Sequence, residues 1–87
     1  VELENATLDV YPNPATAFVN LDVTFEESTE AFMFITDATG KLVRTQDLGN
    51  IVNERVRVDV SNLAAGTYFA KISTNEGVLV KRFVVAK

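Results

Sequence analysis

The feature that most constrains this 87-residue chain is an alternation of apolar and polar side chains with a period of two. Between residues 19 and 25 the odd positions are apolar and the even positions are polar, whereas between residues 55 and 60 every even position is valine. This period is expected of a β-strand that buries one face and exposes the other. A helix would need apolar residues three and four positions apart over about ten residues, and no window sustains that spacing. The chain is therefore predicted to contain strands and no helix.

Seven short strands follow from this pattern and from the enrichment in β-branched and aromatic residues. They are predicted at residues 7–11, 17–25, 31–36, 41–47, 55–60, 67–74 and 78–86. Asp37 and Gly40 hold the first and fourth positions of a predicted type I turn, and residues 75–77 form a predicted hairpin loop. The alternation places in the core Leu21, Val58, Tyr68 and Ile72, with Leu63 closing one end. Strands at this spacing in a chain with room for one core predict an all-β sandwich.

The predicted strand at residues 31–36 departs from simple alternation. Met33 and Ile35 are apolar on one side, and Phe32 and Phe34 are apolar on the other. The strand is therefore either buried on both faces, with the phenylalanines packed under a loop, or it exposes an aromatic pair. An exposed pair would form an apolar patch suited to a partner.

The last predicted strand also changes parity along its length. Its first half has valines at even positions, whereas Phe83 and Val85 are at odd positions. A β-bulge at Lys81 and Arg82 would reconcile the two halves. An unbulged strand would instead keep Leu79, Phe83 and Val85 on the core face, and it would direct Lys81 to the same side.

Two prolines restrict the backbone near the start of the chain, in the run Tyr11-Pro12-Asn13-Pro14-Ala15-Thr16. Each proline fixes φ at about −65°, lacks an N–H donor and keeps the preceding residue out of the helical region. The segment is therefore predicted to be extended, and it cannot be a central strand. Such a segment suits an exposed recognition or hinge element as well as a purely structural connection.

Charge is unevenly spread along the chain, although the formal net charge is only −4. Residues 1–30 contain no basic residue, and their seven acidic residues are Glu2, Glu4, Asp9, Asp22, Glu26, Glu27 and Glu30. All 8 lysines and arginines follow after residue 30. We expect an acidic face or edge near a basic C-terminal strand, with a solvated surface of mixed sign as the alternative. The negative balance disfavours nucleic-acid binding, which requires a basic footprint.

The sequence offers little catalytic chemistry. The absence of His and Cys removes imidazole bases, thiol nucleophiles, thiolate metal ligands and disulfides. Three serines, Ser28, Ser61 and Ser73, have no histidine partner and are interpreted as structural. Glu26 and Glu27 lie in a polar segment that is predicted to be a turn between two strands. No catalytic, cofactor-binding or metal-binding residue is predicted, and no run reaches the roughly 18 apolar residues of a membrane span.

Four motifs in order carry a resemblance to a known family. They are the proline-containing run at residues 11–16, Asp37-x-x-Gly40-x-x-Val43, Leu63-Ala64-Ala65-Gly66-Thr67-Tyr68-Phe69-x-x-Ile72, and the tail Arg82-Phe83-Val84-Val85-Ala86-Lys87. Together they resemble the type A C-terminal sorting domain of cargo proteins of the type IX secretion system of Bacteroidetes. The resemblance spans about residues 8–87. Residues 1–7 are expected to be a linker remnant from the cargo, because Val1 is not a natural start and the chain is expected to be excised from a longer precursor.

The resemblance implies an immunoglobulin-like sandwich of about seven mostly antiparallel strands and a secretion signal without enzymatic activity. In that family the domain directs its cargo from the periplasm through an outer-membrane translocon, and a sortase-like peptidase then removes it at the cell surface. The implied partners are the translocon, shuttle and peptidase of type IX secretion and the upstream cargo domain, without nucleic acid, cofactor or membrane insertion. The residues expected to be recognised are Pro12, Asn13, Pro14, Gly66, Tyr68, Lys81, Arg82, Val85 and Lys87.

Several alternatives remain open at the level of sequence. The family's terminal pattern usually has lysine where Arg82 stands, and a shifted register would use Lys81 but would place Ala86 at the last basic position. Tyr68 also suits a structural corner, with its hydroxyl bonded to nearby backbone. A fibronectin III-like or carbohydrate-binding adhesion module shares a segment similar to residues 63–68. The absence of Trp disfavours such a module, because its core and its sugar platforms depend on large aromatic side chains.

Overall fold

The computed structural model describes residues 6–87 and contains strands but no helix over that range. The five strands are β1 (Ala6–Tyr11), β2 (Phe18–Asp37), β3 (Leu42–Asp59), β4 (Gly66–Ser73) and β5 (Val78–Val85). Period-two alternation accounts for them, since the odd positions at 19–25 and 31–35 of β2 and the even positions 56 and 58 of β3 are buried. The all-β prediction is confirmed. Most of the predicted linker remnant at residues 1–7 lies outside the described residues.

The strands form one antiparallel sheet in the order β1-β2-β4-β5, with β3 paired to β2. The first half of β2 pairs with β1 on one side and with the end of β3 on the other. The second half of β2 pairs with the start of β3 and with β4. The sheet curls, so that β1 approaches β5 and the inner faces of the two halves enclose one core. We call these halves the first layer (β1, start of β2, end of β3) and the second layer (start of β3, end of β2, β4, β5).

The prediction of seven separate strands is wrong because four of the predicted segments are joined in pairs. Segments 17–25 and 31–36 both lie in β2, and segments 41–47 and 55–60 both lie in β3. The polar residues 26–28 are exposed and have no partner on β3, because the pairing passes from Thr24↔Asn53 to Thr29↔Ile51, but the strand continues through them. A bulge of this kind bends a strand without ending it. The expected turn at Glu26 and Glu27 is therefore a bend inside one long strand.

The core consists of apolar side chains from both layers. The predicted core residues Leu21, Val58, Tyr68 and Ile72 are all buried, as is Leu63 at one end of the core. In β2 the odd positions Met33 and Ile35 face inward, whereas Phe32 faces outward and is 37% exposed. Of the two interpretations of residues 31–36, the structure therefore shows an outward aromatic side chain at Phe32.

The last strand, β5, is not bulged. It pairs continuously with β4 from Gly66↔Val85 to Ser73↔Val78, with no register shift. The buried residues are Leu79, Phe83 and Val85. Lys81 shares their parity, yet it is exposed. A long side chain at a sheet margin can reach solvent from the inner face, which is why the strand needs no bulge at residues 81–82.

Both predicted tight hairpins are present. The Asp37 carboxylate accepts hydrogen bonds from Thr39 N (2.9 Å), Thr39 Oγ1 (2.6 Å) and Lys41 N (3.0 Å). Gly40 N donates to Asp37 O at 3.0 Å, and Gly40 has a φ of 91°, which favours glycine. The hydrogen bond from the Thr39 hydroxyl is the main cause that holds the pKa of Asp37 below its usual value. Between β4 and β5, Thr74 N donates to Gly77 O at 2.9 Å.

Candidate recognition site

The proline-containing segment passes from β1 in the first layer to the edge of β5 in the second. Pro12, Asn13 and Pro14 are exposed, whereas Ala15 is fully buried. The two X–Pro peptide bonds are cis. Because neither proline has an N–H to donate, β1 ends at Tyr11 and the segment does not continue the ladder with β2. The prediction that this segment is not a central strand is confirmed, whereas the prediction that it is extended is wrong, because residues 12–14 and 16–17 form bends on either side of Ala15.

The same segment is hydrogen-bonded to the end of the chain. Ala15 forms a parallel bridge with Val85, in which Ala15 N donates to Val84 O at 2.8 Å and Ala86 N donates to Ala15 O at 2.8 Å. The side-chain Oδ1 of Asn13 accepts a hydrogen bond from Val84 N at 3.0 Å. Two segments that the sequence singled out separately are therefore one structural unit, which we call the joined ends (residues 12–15 and 84–87).

The glycine–tyrosine motif lies directly beside the joined ends. Gly66 begins β4 opposite Val85. Tyr68 stacks on Phe83, with ring centroids 5.8 Å apart, and its hydroxyl donates to Ala64 O at 2.6 Å. Tyr68 is only 6% exposed, so its ring belongs to the core. This is the structural corner that the sequence left open as an alternative for Tyr68.

The last residue is bonded to a loop of the first layer. The ammonium group of Lys87 donates a hydrogen bond to Ser61 O, although the side chain is exposed overall. Ser61 is held in turn by Asp59, whose Oδ1 accepts from Ser61 N at 2.8 Å and from Ser61 Oγ at 2.6 Å. The hydrogen bond from the Ser61 hydroxyl is the main cause that lowers the pKa of Asp59, and the Lys87 charge adds to it. Lys87 is therefore folded back toward the domain.

The basic residues of β5 occupy different positions on the sheet. Arg82 is exposed and pairs with Phe69 of β4, whereas Lys81 is exposed and pairs with the buried Ala70. Lys81 lines a groove of about 320 Å³ between β1 and β5, and Asp9 lines the same groove. One acidic residue, Asp9, therefore lies near the basic C-terminal strand at this groove, and the expected acidic face or edge stays a prediction.

The structure thus brings most of the predicted recognition residues to one end of the domain. Seven of the nine are exposed, namely Pro12, Asn13, Pro14, Gly66, Lys81, Arg82 and Lys87. The other two, Tyr68 and Val85, are buried at 6% and 1% exposure. The predicted recognition residues did not include Ala15 or Phe83, which connect them, although both lie in the motifs quoted above. The signal for Ala15 was present, because a small residue directly after Pro14 allows close approach of the β5 backbone.

The outer face of the first layer carries its own polar cluster. Asp22 accepts from Tyr11 Oη at 2.8 Å and forms a salt bridge with Arg55, whose Nε lies 2.8 Å from Oδ1. The hydrogen bond from Arg55, followed by that from Tyr11, holds the pKa of Asp22 below its usual value. The same hydrogen bond to Asp22 raises the pKa of Tyr11. These groups satisfy one another on the outer surface of the first layer.

Across residues 6–87, no group of three or more acidic side chains is placed to hold a metal ion. Over the same range, no helix is long and apolar enough to cross a membrane.

Fold and site together define a small all-β domain whose C-terminal strand is bonded to a proline-containing segment near its start. The family model of the secretion system C-terminal sorting domain matches residues 9–86. Since this match covers nearly the whole chain, the protein belongs to the family of type IX secretion C-terminal sorting domains. The family implies Bacteroidetes, export to the cell surface or extracellular space, an upstream cargo and interaction with the secretion machinery. The comparison with curated proteins returned no match.

Proposed function

We propose that residues 8–87 form a non-enzymatic signal that takes an upstream cargo from the periplasm through the outer-membrane type IX translocon. The joined ends carry this proposal. They present Pro12, Asn13 and Pro14 beside the backbone of β5, on a framework fixed by the buried pair of Ala15 and Val85. An exposed surface held by hydrogen bonds suits recognition, because a partner that binds it orders less free backbone and loses less conformational entropy.

We further propose that a sortase-like peptidase removes the domain after export, by cleavage in or before residues 1–7. The family role as a sorting signal supports this step, since a signal has no further use once the cargo has crossed the membrane. The shuttle of the same system is the proposed carrier of the cargo from the translocon to the peptidase. Residues 1–7 are then the remnant of the linker that joined the domain to its cargo.

The roles of the predicted recognition residues divide according to their exposure. Pro12, Asn13, Pro14, Gly66 and Arg82 are proposed to contact the translocon or shuttle directly. The buried residues Tyr68 and Val85 are proposed to act through the shape of the domain, because a partner cannot reach them without unfolding it. Lys81 is exposed at the open margin of the sheet, and Lys87 holds the tail against Ser61.

The test is export of a reporter fused upstream of this domain in a Bacteroidetes host with a working type IX system. A trimmed variant that lacks Ala86 and Lys87 loses the bonds to Ala15 O and Ser61 O but keeps the buried Val85. A charge-reversed variant carries Arg82→Glu, and Asn13→Ala loosens the joined ends without changing the tail. We expect the intact domain to display the reporter and each variant to reduce display while its melting temperature stays close to that of the parent.

Two outcomes would contradict the proposal. Equal surface display from all variants would remove the joined ends as the recognition site, and failure of the intact domain to direct export would reject the translocon route. Cleavage is read from the mass of the displayed reporter, which should decrease by about the 9.6 kDa of the domain. A displayed reporter of full mass would reject the peptidase step alone.

A further inference from the structure

The outer face of the second layer combines aromatic, aliphatic and basic side chains. Cross-strand pairing sets Phe34 beside Lys71 and Lys71 beside Val80, and the next row sets Phe69 beside Arg82. Because directly opposed residues of an antiparallel sheet share a face, these side chains lie on one surface. We call this surface the aromatic–basic face, and its residues are Phe32, Phe34, Phe69, Lys71, Val80, Arg82 and Val84.

The outer face of the first layer provides an internal comparison. There the outward positions are mostly polar, including Thr7, Asn20 and Thr24. Its charges are also engaged, since Asp22 is bonded to Arg55 and the guanidinium of Arg57 lies 3.7 Å from the ring centre of Phe18. This is the normal composition of an outer sheet face in water. The aromatic–basic face departs from it within the same domain.

The apolar side chains of the aromatic–basic face are accessible. Phe32, Val80 and Val84 are 37%, 46% and 36% exposed. Among residues 6–87 they account for three of the five large hydrophobic side chains that are exposed. An exposed apolar patch with polar groups around it marks an interaction surface in soluble proteins.

Among residues 6–87, the basic groups of this face form no salt bridge. Within the described part of the chain, the single salt bridge joins Asp22 and Arg55, so neither Lys71 nor Arg82 has an acidic partner. Acidic residues approach the face at its hairpin end, where Asp47 of β3 lies directly opposite Phe32 and where Glu30 and Glu76 line the cleft beside Phe32. The centre of the face therefore carries positive charge among apolar side chains.

We propose that the aromatic–basic face docks onto a protein surface of the secretion machinery that presents carboxylates among apolar side chains. The inference rests on the proposed function and extends it, because it moves recognition beyond the joined ends to a sheet surface that includes β4. Charge complementarity selects this partner, since Lys71 and Arg82 require acidic groups opposite them. A second copy would set Lys71 and Arg82 against like charges, and an anionic lipid surface would meet Glu30 and Glu76 at the hairpin end.

The decisive variants lie on β4, away from the joined ends. Lys71→Glu reverses the central charge at an exposed position, and Phe69→Ser removes a half-buried ring. The matched control is Arg57→Glu, which makes the same change of charge at an exposed strand position on the opposite outer face. Each domain is fused to the same periplasmic reporter, and the purified domains are melted in parallel to identify variants that unfold.

We expect Lys71→Glu and Phe69→Ser to lower reporter display by about tenfold or more, as truncation of a central interface residue does. Arg57→Glu should display the reporter like the parent. If Phe69→Ser melts far below the parent, its loss of display could reflect unfolding, and the result for the exposed Lys71→Glu alone tests the proposal. Parent-like display by a folded Lys71→Glu variant would overturn the inference, whereas failure of the parent domain to export would reject the proposed function itself.

Two further measurements identify the occupant. The purified domain is sedimented with phosphatidylglycerol vesicles, and its molar mass is measured by analytical ultracentrifugation. A monomer that does not bind vesicles, together with loss of export in Lys71→Glu, supports a protein partner. If the domain binds vesicles and Lys71→Glu abolishes this binding, the proposal of a protein partner would be overturned in favour of a lipid surface. If the domain dimerises and Lys71→Glu abolishes the dimer, it would be overturned in favour of a second copy of the chain.

Discussion

Replacement of Tyr68 by phenylalanine removes a single oxygen atom from the corner beside the joined ends. The hydroxyl of Tyr68 donates to Ala64 O at 2.6 Å, and the ring stacks on Phe83 at 5.8 Å. In Tyr68→Phe the ring and its stacking partner remain. The variant therefore isolates the hydrogen bond that fixes the loop between β3 and β4 to the core.

The expected loss of stability in Tyr68→Phe follows from the surroundings of the Tyr68 hydroxyl and the Ala64 carbonyl. A neutral hydrogen bond of this kind contributes about 0.5–1.5 kcal/mol to the free energy of unfolding. Ala64 is exposed, so its carbonyl can bond to water in the variant, and the loss should stay near 1 kcal/mol. For a domain of this size, 1 kcal/mol lowers the melting temperature by about 4–8 °C. Tyr68→Leu also loses the stacked pair and should cost roughly 2–4 kcal/mol.

Thermal melts by circular dichroism and urea titrations measure both variants. We expect the urea midpoint to fall in the order parent, Tyr68→Phe, Tyr68→Leu, with an unchanged slope of free energy against denaturant. Equal stability of Tyr68→Phe and the parent would show that the hydroxyl does not anchor the loop. Export that fails in Tyr68→Phe at a temperature where the domain is folded would refute the assignment of Tyr68 to the framework.

Three further outcomes are expected. Leu21→Ala and Ile72→Ala should each lower the free energy of unfolding by about 2–5 kcal/mol, because both side chains are fully buried, and parent-like melts would contradict the face assignment. Because the folded state lowers the pKa of Asp37, its carboxylate stabilises the fold at pH values above its unfolded pKa of about 4, and this stabilisation is lost as the pH falls through the folded pKa. In Asp37→Ala, the urea midpoint should therefore decrease less steeply as the pH is lowered into the acid range. Gly40→Ala should lower the free energy of unfolding by about 1–3 kcal/mol, because alanine is strained at the positive φ of this position, while its added Cβ meets no atom within 4 Å. An unchanged urea midpoint would show that the hairpin relaxes to accommodate alanine.

Much of the fold was predictable because alternation is a direct record of which side chains face the core. All seven predicted segments lie in strands of the structure, apart from one residue at one end of five of them. The joins between them were not predictable. Residues 26–28 are polar on both parities, and that pattern is shared by a turn and by a bulged bend in a continuous strand. Only the pairing with β3 distinguishes the two.

The site was less predictable than the fold. The sequence identified the segments at residues 12–14 and 82–87, but not that Asn13 would bond to Val84, a contact across 71 positions of the chain. Contacts at such separation depend on how the sheet curls, which alternation does not encode. Likewise, the parity of Lys81 predicts an inward side chain, and its exposure depends on its place at the open margin of the sheet.

The parallel bridge between Ala15 and Val85 has a mechanical consequence. Strands that pair in parallel slide past one another when the two chain ends are pulled apart, so the load falls on several hydrogen bonds at once. Here it is shared by the two bonds to Ala15 and the bond from Val84 N to Asn13. A hairpin pulled open from its ends would break one bond after another at lower force. Forced unfolding is governed by the unfolding rate, so we expect this small patch to slow unfolding when the domain is pulled between its two ends.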